Sequence, residues 1–157
     1  MQLNSHLRRL SVVWIDQPVY FITTCTIGRR PILANAAAHE ILRKELYDLK
    51  DRYGWAIGRY TVMPDHVHFF AASFDNGPGA SKSLPTVIGK WKEWTAKRLT
   101  TTAGITGPIW QREFFDHLLR SEESRSEKWE YIRKNPERLN LVANADDWPY
   151  SGWIHFE

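Results

Sequence analysis

The spacing of apolar residues changes along the chain between two periods, which predicts alternating strands and helices. Residues 20–27 are rich in β-branched and aromatic side chains, which indicates a strand. Over residues 36–52 the apolar positions recur every three or four residues, which predicts an amphipathic helix. Asn35 is expected to cap the start of this helix, and Gly54 is expected to end it.

Two further strands are predicted directly after the first helix. Residues 55–63 and 66–72 are both rich in apolar and β-branched side chains, and Pro64-Asp65 between them indicates a turn. We therefore expect these two segments to form an antiparallel hairpin. The following residues 74–83 contain Gly77-Pro78-Gly79 and small polar side chains, which is typical of a mobile loop.

A second helix is predicted after this loop. It is expected to begin at Ser83 or Pro85 and to run to about Leu99, because apolar residues again recur at helical spacing. Residues 100–108 are rich in threonine and glycine, so we expect a loop there.

The last third of the chain predicts one more strand and one more helix. Residues 109–119 are largely aromatic and are expected to be extended. Ser121 or Ser124 is expected to cap a third helix that ends near Asn135. The residues from Leu139 onwards show no clear period and are predicted to be irregular.

The order of these elements predicts the α+β fold class. A β-α-β-β-α-β core is the ferredoxin-like pattern, in which an antiparallel sheet carries helices packed on one face. With 157 residues the chain is long enough to bury a sizeable core, and we expect one domain spanning residues 1–157.

The composition excludes several classes of protein. A content of 43% hydrophobic and 13% aromatic residues argues against a disordered chain. No apolar run is long enough to span a membrane, and the first residues lack the apolar core of a signal peptide, so a cytoplasmic protein without a membrane partner is expected. Cys25 is the single cysteine and lies in a predicted strand, which indicates a reduced, buried thiol.

The distribution of charge leaves two interpretations open. A formal net charge of +3 does not by itself identify a nucleic-acid-binding protein. One segment interleaves basic and aromatic residues, a combination that suits phosphate contact with base stacking. A solvated helix face is the alternative, and charge alone favours it. The segment contains Lys82, Lys90, Trp91, Lys92, Trp94, Lys97 and Arg98.

The triplet His66-Val67-His68 is the most informative motif. Side chains two residues apart on a strand point to the same face, about 6.6 Å apart, so both imidazoles could bind one metal ion. Two ligands make a poor site, and a third would have to come from another part of the chain. The alternative is a pair of half-buried histidines with a purely structural role.

The predicted third helix carries a candidate nucleophile and a candidate third metal ligand. Tyr131 and Asn135 are four residues apart and therefore share a helical face. Tyr131 offers a phenolic nucleophile, and Asn135 offers a carbonyl oxygen that suits a hard cation. The structural alternatives are an aromatic core residue for Tyr131 and a helix C-cap before Pro136 for Asn135.

These motifs occur together with others in a fixed order. The segments are Tyr20-Phe21-Ile22-Thr23, Val62-Met63-Pro64-Asp65-His66-Val67-His68, Ile109-Trp110-Gln111-Arg112, Phe115-Asp116-His117, Tyr131-Ile132-Arg133-Lys134-Asn135-Pro136 and Asp147-Trp148-Pro149-Tyr150-Ser151. In this combination the chain resembles the single-tyrosine HUH (His-hydrophobic-His) transposases, which are IS200-like, and within them the REP-associated tyrosine transposases. The resemblance covers about residues 20–151.

The resemblance implies a role for each residue of the site. His66 and His68 match the pair that binds Mg²⁺ or Mn²⁺, Tyr131 matches the nucleophile, and Asn135 falls where relatives carry a Gln or Asn that helps to hold the metal. Because Asn is shorter than Gln, it could reach the ion less directly.

The resemblance also implies an activity and a partner. Family members cut and rejoin single-stranded DNA near hairpins through a covalent 5′-phosphotyrosine intermediate, which is the chemistry of DNA transposition. A bacterial cytoplasmic protein associated with the nucleoid is expected. Classical members resemble dimers and REP-associated members monomers, so a monomer and a homodimer both remain open.

Contacts with DNA are expected from basic and aromatic side chains. Stacking on bases by Trp91, Trp94 or Trp110 is one possibility, although core packing is favoured for at least two of them. Two alternatives to the cleavage function are a non-cleaving protein that binds hairpin DNA or RNA and a metal hydrolase without a covalent intermediate. The residues expected to contact phosphates are Arg29, Arg30, Lys90, Lys97 and Arg133.

Overall fold

An antiparallel sheet of five strands organises the computed structural model, which describes residues 18–73 and 82–157. The strands are β1 (Val19–Cys25), β2 (Trp55–Val62), β3 (His66–Ser73), β4 (Phe115–Leu119) and β5 (Ser151–Trp153). The helices are α1 (Ala36–Tyr53), α2 (Leu84–Thr101), α3 (Glu122–Arg133) and the four-residue α4 (Asn135–Arg138), with short 3₁₀ turns at Ile27–Arg29 and Ala145–Asp147. The strands lie in the order β4-β1-β3-β2-β5.

This architecture confirms the predicted α+β class and its ferredoxin-like sheet. β2 and β3 form the expected antiparallel hairpin, and β3 also pairs with β1, so β3 is the central strand. The predicted loop of residues 74–83 lies outside the described residues except for its last two positions, as does the N-terminal segment of residues 1–17.

Local signals set the ends of α1 as predicted. The Asn35 side chain accepts a hydrogen bond from the backbone N–H of Ala38 at 2.9 Å, which satisfies one of the free donors at the helix start. Gly54 follows the last turn with a φ of 74°, a conformation that residues with a Cβ adopt at a cost. The helix therefore begins and ends where the sequence predicts.

The main core lies between one face of the sheet and the two long helices. Val67 and Phe69 of β3 point into it, together with Leu42 of α1 and Trp91 of α2. Glu45 of α1 is only 2% exposed, and its carboxylate is 2.7 Å from the Arg98 guanidinium of α2. This ion pair links α1 to α2. It stabilises the buried Glu45 carboxylate, which would be costly to bury without a cationic partner.

The third helix lies on the opposite face of the sheet. Ile132 of α3 packs with Phe21, Phe70 and Leu119, which form a second, smaller core cluster. The prediction of helices on one face therefore holds for α1 and α2, whereas α3 covers the other face. The physical reason is that β1, β3 and β4 also carry large apolar side chains on that second face, and these need a cover.

Two predictions about extended segments need correction. The tail was expected to be irregular, but β5 pairs with β2 and continues the sheet by one strand. Only Phe115–Leu119 of the predicted extended segment 109–119 forms a strand, while Trp110 makes a single bridge with Thr26. Both differences arise from pairing with residues far away in sequence, which a local pattern does not encode.

The described helices include none that is both long and apolar enough to span a bilayer. The burial of Cys25 agrees with the prediction of a buried thiol.

Gly58 is a position where a side chain would collide with the C-terminal tail. A Cβ built on Gly58 would lie 2.5 Å from the ring of the buried Phe156. We expect Gly58→Ala to displace this ring and to lower the free energy of unfolding by about 1–3 kcal/mol, as for other overpacked sites. Urea unfolding monitored by tryptophan fluorescence measures this change.

Gly89→Ala is the matched control, because a Cβ on Gly89 meets no atom within 4 Å inside α2. It should raise stability by about 0.5–1 kcal/mol through helix propensity. Equal effects of the two substitutions would contradict the packing argument.

His155 connects the C-terminal segment to β2 and α1, and its lowered pKa should make the stability of the protein depend on pH. Its Nδ1 accepts the Ile57 backbone N–H at 2.8 Å, and its Nε2 lies 3.1 Å from the Tyr47 carbonyl oxygen, an arrangement that requires the neutral ring. Burial, reinforced by the charge of Lys50, lowers the pKa of His155 to about 4. Between pH 6.5 and 4 the unfolded chain therefore binds a proton that the folded chain does not.

The free energy of unfolding should consequently fall as the pH drops from about 6.5 towards 4. In His155→Gln this loss should be smaller by on the order of 2 kcal/mol. Urea titrations of both proteins at pH 7 and pH 4.5 measure the difference, and an identical pH dependence of the two proteins would refute it.

Candidate functional site

Two imidazoles meet on the second face of the sheet, beside α3. β3 alternates, so that Val67 is completely buried in the main core while His66 and His68 point to the opposite face. The centroids of the two rings are 4.6 Å apart and their planes are inclined at 77°. This confirms that the two histidine side chains lie together on one strand face.

Protein partners occupy the same nitrogen atom of each ring. His66 Nδ1 is 2.7 Å from a carboxylate oxygen of Asp65, and His68 Nδ1 is 2.9 Å from the hydroxyl group of Thr23 on the paired strand. Each contact fixes the orientation of its ring, and neither Nε2 atom has a hydrogen-bond partner among residues 18–73 and 82–157. A carboxylate that contacts the second ring nitrogen, as Asp65 does for His66, is a usual support of a metal-binding histidine.

A strained turn at Gly28 and Arg29 places the Arg29 guanidinium against the Asp65 carboxylate. Gly28 and Arg29 both adopt the left-handed conformation, with φ values of 64° and 54°, which is unfavourable for arginine. In this position the Arg29 Nε lies 2.9 Å from Asp65 Oδ2 and its Nη1 lies 3.1 Å from Cys25 Sγ. The turn thus holds an Arg29–Asp65–His66 chain of charged and polar contacts.

The electrostatic environment keeps both histidines neutral. Burial, then the neighbouring His66 and the ammonium group of Lys128, lowers the pKa of His68 to about 3. Burial also lowers the pKa of His66, although Asp65 opposes this effect. Burial alone would raise the pKa of Asp65, but its hydrogen bonds to His66 and Arg29 together lower it. Neutral imidazoles are the form that binds metal ions.

This pair fits a divalent metal but does not complete a site. Within residues 18–73 and 82–157, His, Cys, Asp and Glu side chains form no group of three that could hold a metal ion. Two neutral imidazoles with oriented Nε2 atoms supply two ligands. Further ligands would have to be oxygen atoms from Asn135, from a bound phosphate or from water.

Helix α3 brings the ammonium group of Lys128 close to His68. Ser121 caps the helix by accepting the Ser124 N–H at 3.0 Å. The Lys128 ammonium group lies 4.9 Å from the centre of the Phe21 ring, and Phe21 in turn stacks on His68 with centroids 5.2 Å apart. One side of α3 therefore lies close to the histidine pair.

Tyr131 is exposed rather than part of the core. The residue is 64% exposed, although Trp129 and Ile132 beside it are packed against the sheet. The guanidinium group of Arg138 lies 4.0 Å from the centre of the Tyr131 ring. An exposed tyrosine on a helix that lies beside two neutral imidazoles is accessible to a large substrate.

Asn135 lies beyond the end of α3 rather than within it. α3 ends at Arg133, two residues earlier than predicted, and Asn135 is the first residue of α4. The Arg138 guanidinium donates to the Asn135 side-chain oxygen and to the Tyr131 backbone carbonyl. Arg138 thus links Asn135 to Tyr131, and it occupies the oxygen atom that would have to bind a metal.

Three of the arginines expected to contact DNA have partners within the protein. Arg29 pairs with Asp65, and Arg30 donates to the backbone carbonyls of Thr106 and Pro108. Arg133 pairs with Glu130 at 3.0 Å and also reaches Asp146. Arg29 adjoins the histidine pair, and Arg133 lies two residues after the tyrosine.

The remaining expected DNA contacts lie on the far side of the sheet. Lys90, Trp94 and Lys97 belong to α2, which packs on the face opposite to the histidines. The Trp94 ring is flanked by three cationic groups at 5.4–5.8 Å, from Arg52, Lys97 and Arg98. The structure therefore does not bring this basic patch to the histidine pair.

The other two tryptophans belong to the core, as their structural alternative predicted. Trp91 is 1% exposed and Trp110 is 8% exposed, and their ring centroids are 5.0 Å apart. Lys92 of the same basic segment donates to three consecutive backbone carbonyls, those of residues 111–113. Trp91 and Lys92 of this segment therefore have structural roles.

Sequence reasoning missed three residues beside the histidine pair. Asp65 directly precedes His66, so its position in the motif is a signal that it could touch the ring. Thr23 and Lys128 carry no such signal, because only strand register and helix docking bring them to His68.

Comparison with known proteins shows similarity to transposases. A family model described as "Transposase IS200 like" matches residues 16–135. The chain is 25% identical over 138 residues to the REP-associated tyrosine transposase of Escherichia coli, which covers 88% of this chain and 78% of that protein. It is 40% identical over 97 residues to a candidate REP-associated tyrosine transposase of Haemophilus influenzae, covering 59% of this chain and 55% of that protein.

A solved structure shares the fold. It is described as a REP-associated tyrosine transposase bound to a REP hairpin, and it matches with a TM-score of 0.68 at 24% identity, covering 85% of this chain and 74% of that one. The family model matches more than half of the chain, which confirms the resemblance drawn from the sequence motifs. The chain belongs to the IS200-like transposase family.

Proposed function

We propose that this protein cuts and rejoins single-stranded DNA beside a hairpin through a covalent bond to Tyr131. The observation that carries the proposal is the pair of neutral imidazoles whose Nδ1 atoms are held by Asp65 and Thr23, next to the helix that presents an exposed tyrosine. The hairpin substrate is supported by the REP hairpin bound to the structurally similar transposase.

The reaction needs no external energy source. The Tyr131 Oη attacks the scissile phosphorus, a new Oη–P bond forms, the P–O3′ bond breaks, and the phenolic proton is passed through solvent to the departing 3′ oxygen. The 5′ end of the DNA is then attached to Tyr131. A 3′-OH group, either the same or another one, can reverse the attack and release the tyrosine, so one site performs cleavage and joining.

The chain supplies orientation and charge for this reaction. Mg²⁺ or Mn²⁺, held by Nε2 of His66 and His68, would polarise a non-bridging oxygen of the phosphate and orient it. Asn135 is our proposed third ligand, which requires the Arg138 guanidinium to leave the Asn135 oxygen. Once displaced, this guanidinium would be free to pair with a phosphate close to Tyr131.

DNA contacts are proposed for residues that the sequence analysis identified. Arg29 would contact a phosphate near the cut, because it pairs with the Asp65 that contacts His66. A phosphate contact is also proposed for Arg133. Lys90, Trp94 and Lys97 would contact a different part of the DNA, because they lie on the other side of the sheet. A monomer or a homodimer is compatible with this arrangement.

A hairpin-binding protein that does not cleave is the second candidate function. The observation that favours it is the Arg138 contact, because it blocks the Asn135 oxygen that a metal would need. Such a protein would bind hairpin DNA or RNA with Mn²⁺ present and form no covalent adduct.

Replacing the nucleophile tests the chemistry directly. Tyr131→Phe should abolish the covalent adduct with a labelled hairpin oligonucleotide that has single-stranded flanks, because only the attacking oxygen is removed. Hairpin affinity should stay within about twofold of the unchanged protein. Denaturing gel electrophoresis reads the adduct, and a mobility-shift assay reads the affinity.

Tyr47→Phe is the control, because Tyr47 is also an exposed tyrosine but belongs to α1 on the opposite side of the sheet. It should retain the adduct. An adduct that persists in Tyr131→Phe would rule out this residue as the nucleophile, and hairpin binding without any adduct in the unchanged protein would favour the second candidate.

Removing the support of His66 tests the metal site. Asp65→Ala should weaken Mn²⁺ binding by about 10- to 100-fold, the usual consequence of losing the group that orients a histidine ligand. Isothermal titration calorimetry without DNA measures this affinity independently of cleavage.

Asp116→Asn is the control. Asp116 is an exposed β4 residue that pairs with Ile22, whose side chain lies in the main core, so Asp116 lies on the sheet face opposite to the histidines. Equal Mn²⁺ affinity in all three proteins would contradict the proposed metal site.

A further inference from the structure

Helix α3 covers only part of the sheet face that carries the histidines. Its apolar side chains pack over Phe21, Phe70 and Leu119. The cross-strand row one step further along β1 contains His68, Thr23 and Phe115, in that order from β3 to β4. His68 and Thr23 are half-buried and Phe115 is exposed, so the row leads from the histidines outwards to the sheet edge.

Phe115 is an aromatic side chain at the outer end of this row. It is 68% exposed, more than any other large apolar residue among those that the structure describes. Because Phe115 pairs with Thr23, and Thr23 bonds to His68, all three side chains lie on one face of the sheet. Two strand spacings separate β4 from β3, which places Phe115 about 10 Å from His68.

Lys128 is a cationic group close to the same row. Its ammonium group lies over the Phe21 ring, one step along β1 from Thr23, and it is close enough to help lower the pKa of His68. The residue is half-buried, and in the described parts of the chain it forms no ion pair with a carboxylate. A partly buried ammonium group without an anionic partner favours an anion as its ligand.

We propose that Phe115 and Lys128 form a subsite for one unpaired nucleotide next to the histidine pair. The base stacks on the Phe115 ring, and Lys128 binds a phosphate of the same stretch of single strand. The proposal rests on the single-stranded DNA activity proposed above and assigns part of its substrate recognition to these two residues.

A protein partner along the edge of β4 is the competing explanation for an exposed Phe115. The strand is only five residues long, and its exposed part carries Asp116 and His117, followed by Arg120. Short edge strands with charged side chains are poor templates for pairing with another strand. An aromatic ring beside an unpaired cation is the combination found in proteins that bind single-stranded nucleic acid.

Stacking on Phe115 can be tested with DNA that lacks a base. The probe is a fluorescent 15-nucleotide oligo-dT, and binding is followed by anisotropy. Phe115→Ala should bind about 5- to 100-fold more weakly than the unchanged protein, whereas Phe115→Trp should bind at least as well. On an otherwise identical oligonucleotide made of abasic sites, Phe115→Ala and the unchanged protein should bind equally.

Tyr47→Ala is the matched control, because it removes an exposed aromatic ring from the opposite side of the protein. It should leave the affinity for both oligonucleotides unchanged. Size-exclusion chromatography of Phe115→Ala supplies the second control, and it should show the oligomeric state of the unchanged protein.

The phosphate contact has its own signature. The slope of log affinity against log salt concentration should decrease by about 0.7 in Lys128→Gln, the value for one phosphate contact on a single strand. Lys44→Gln should keep the full slope, because Lys44 lies on α1 and already pairs with Asp48 at 3.2 Å.

The outcomes separate this subsite from the proposed function. If the unchanged protein forms the Tyr131 adduct but Phe115→Ala binds oligo-dT normally, the subsite is wrong and the cleavage function stands. A loss of affinity on the abasic oligonucleotide, or an altered oligomeric state in Phe115→Ala, also overturns the subsite. If no adduct forms but both substitutions act as expected, the subsite stands as a binding site and the cleavage function fails.

Discussion

The alternation of side chains along β3 is the constraint on which both the core and the site depend. Val67, Phe69 and the residues that share their face fill the space beneath α1 and α2, so they fix which way the strand faces. The same alternation obliges His66 and His68 to point to the other face. A shift of one residue in strand register would bury both imidazoles in the main core and expose the apolar side chains, which makes the register energetically strict.

Polar contacts then turn this pair of side chains into a defined site. Burial keeps the imidazoles neutral, and Thr23 and Asp65 hold their Nδ1 atoms, so the Nε2 atom of each ring points in a fixed direction. The support of Asp65 depends on Arg29, which sits in an unfavourable left-handed turn. Local strain that is stabilised by an ion pair beside a functional group is a common arrangement at reactive sites.

Much of the fold could be predicted because its signals are local. A capping Asn35, a terminating Gly54 and the apolar spacing between them define α1 without reference to the rest of the chain. The hairpin of β2 and β3 is similarly encoded by a short turn. β5 could not be predicted, because three residues near the C-terminus form a strand only when the free edge of β2 is available to them. The face on which α3 packs was also not predicted, because it depends on contacts of Ile132 with Phe21 and Phe70, which are far away in sequence.

The sequence by itself determined the residue types of the candidate site: two histidines in one strand period, and Tyr131 with Asn135 in a later segment. Tertiary structure decided how these groups are presented. Docking of α3 on the second face placed Lys128 near His68, and sheet register aligned Phe115 with the same row. These juxtapositions follow from packing between elements that are distant along the chain, so residue types and spacing alone do not contain them.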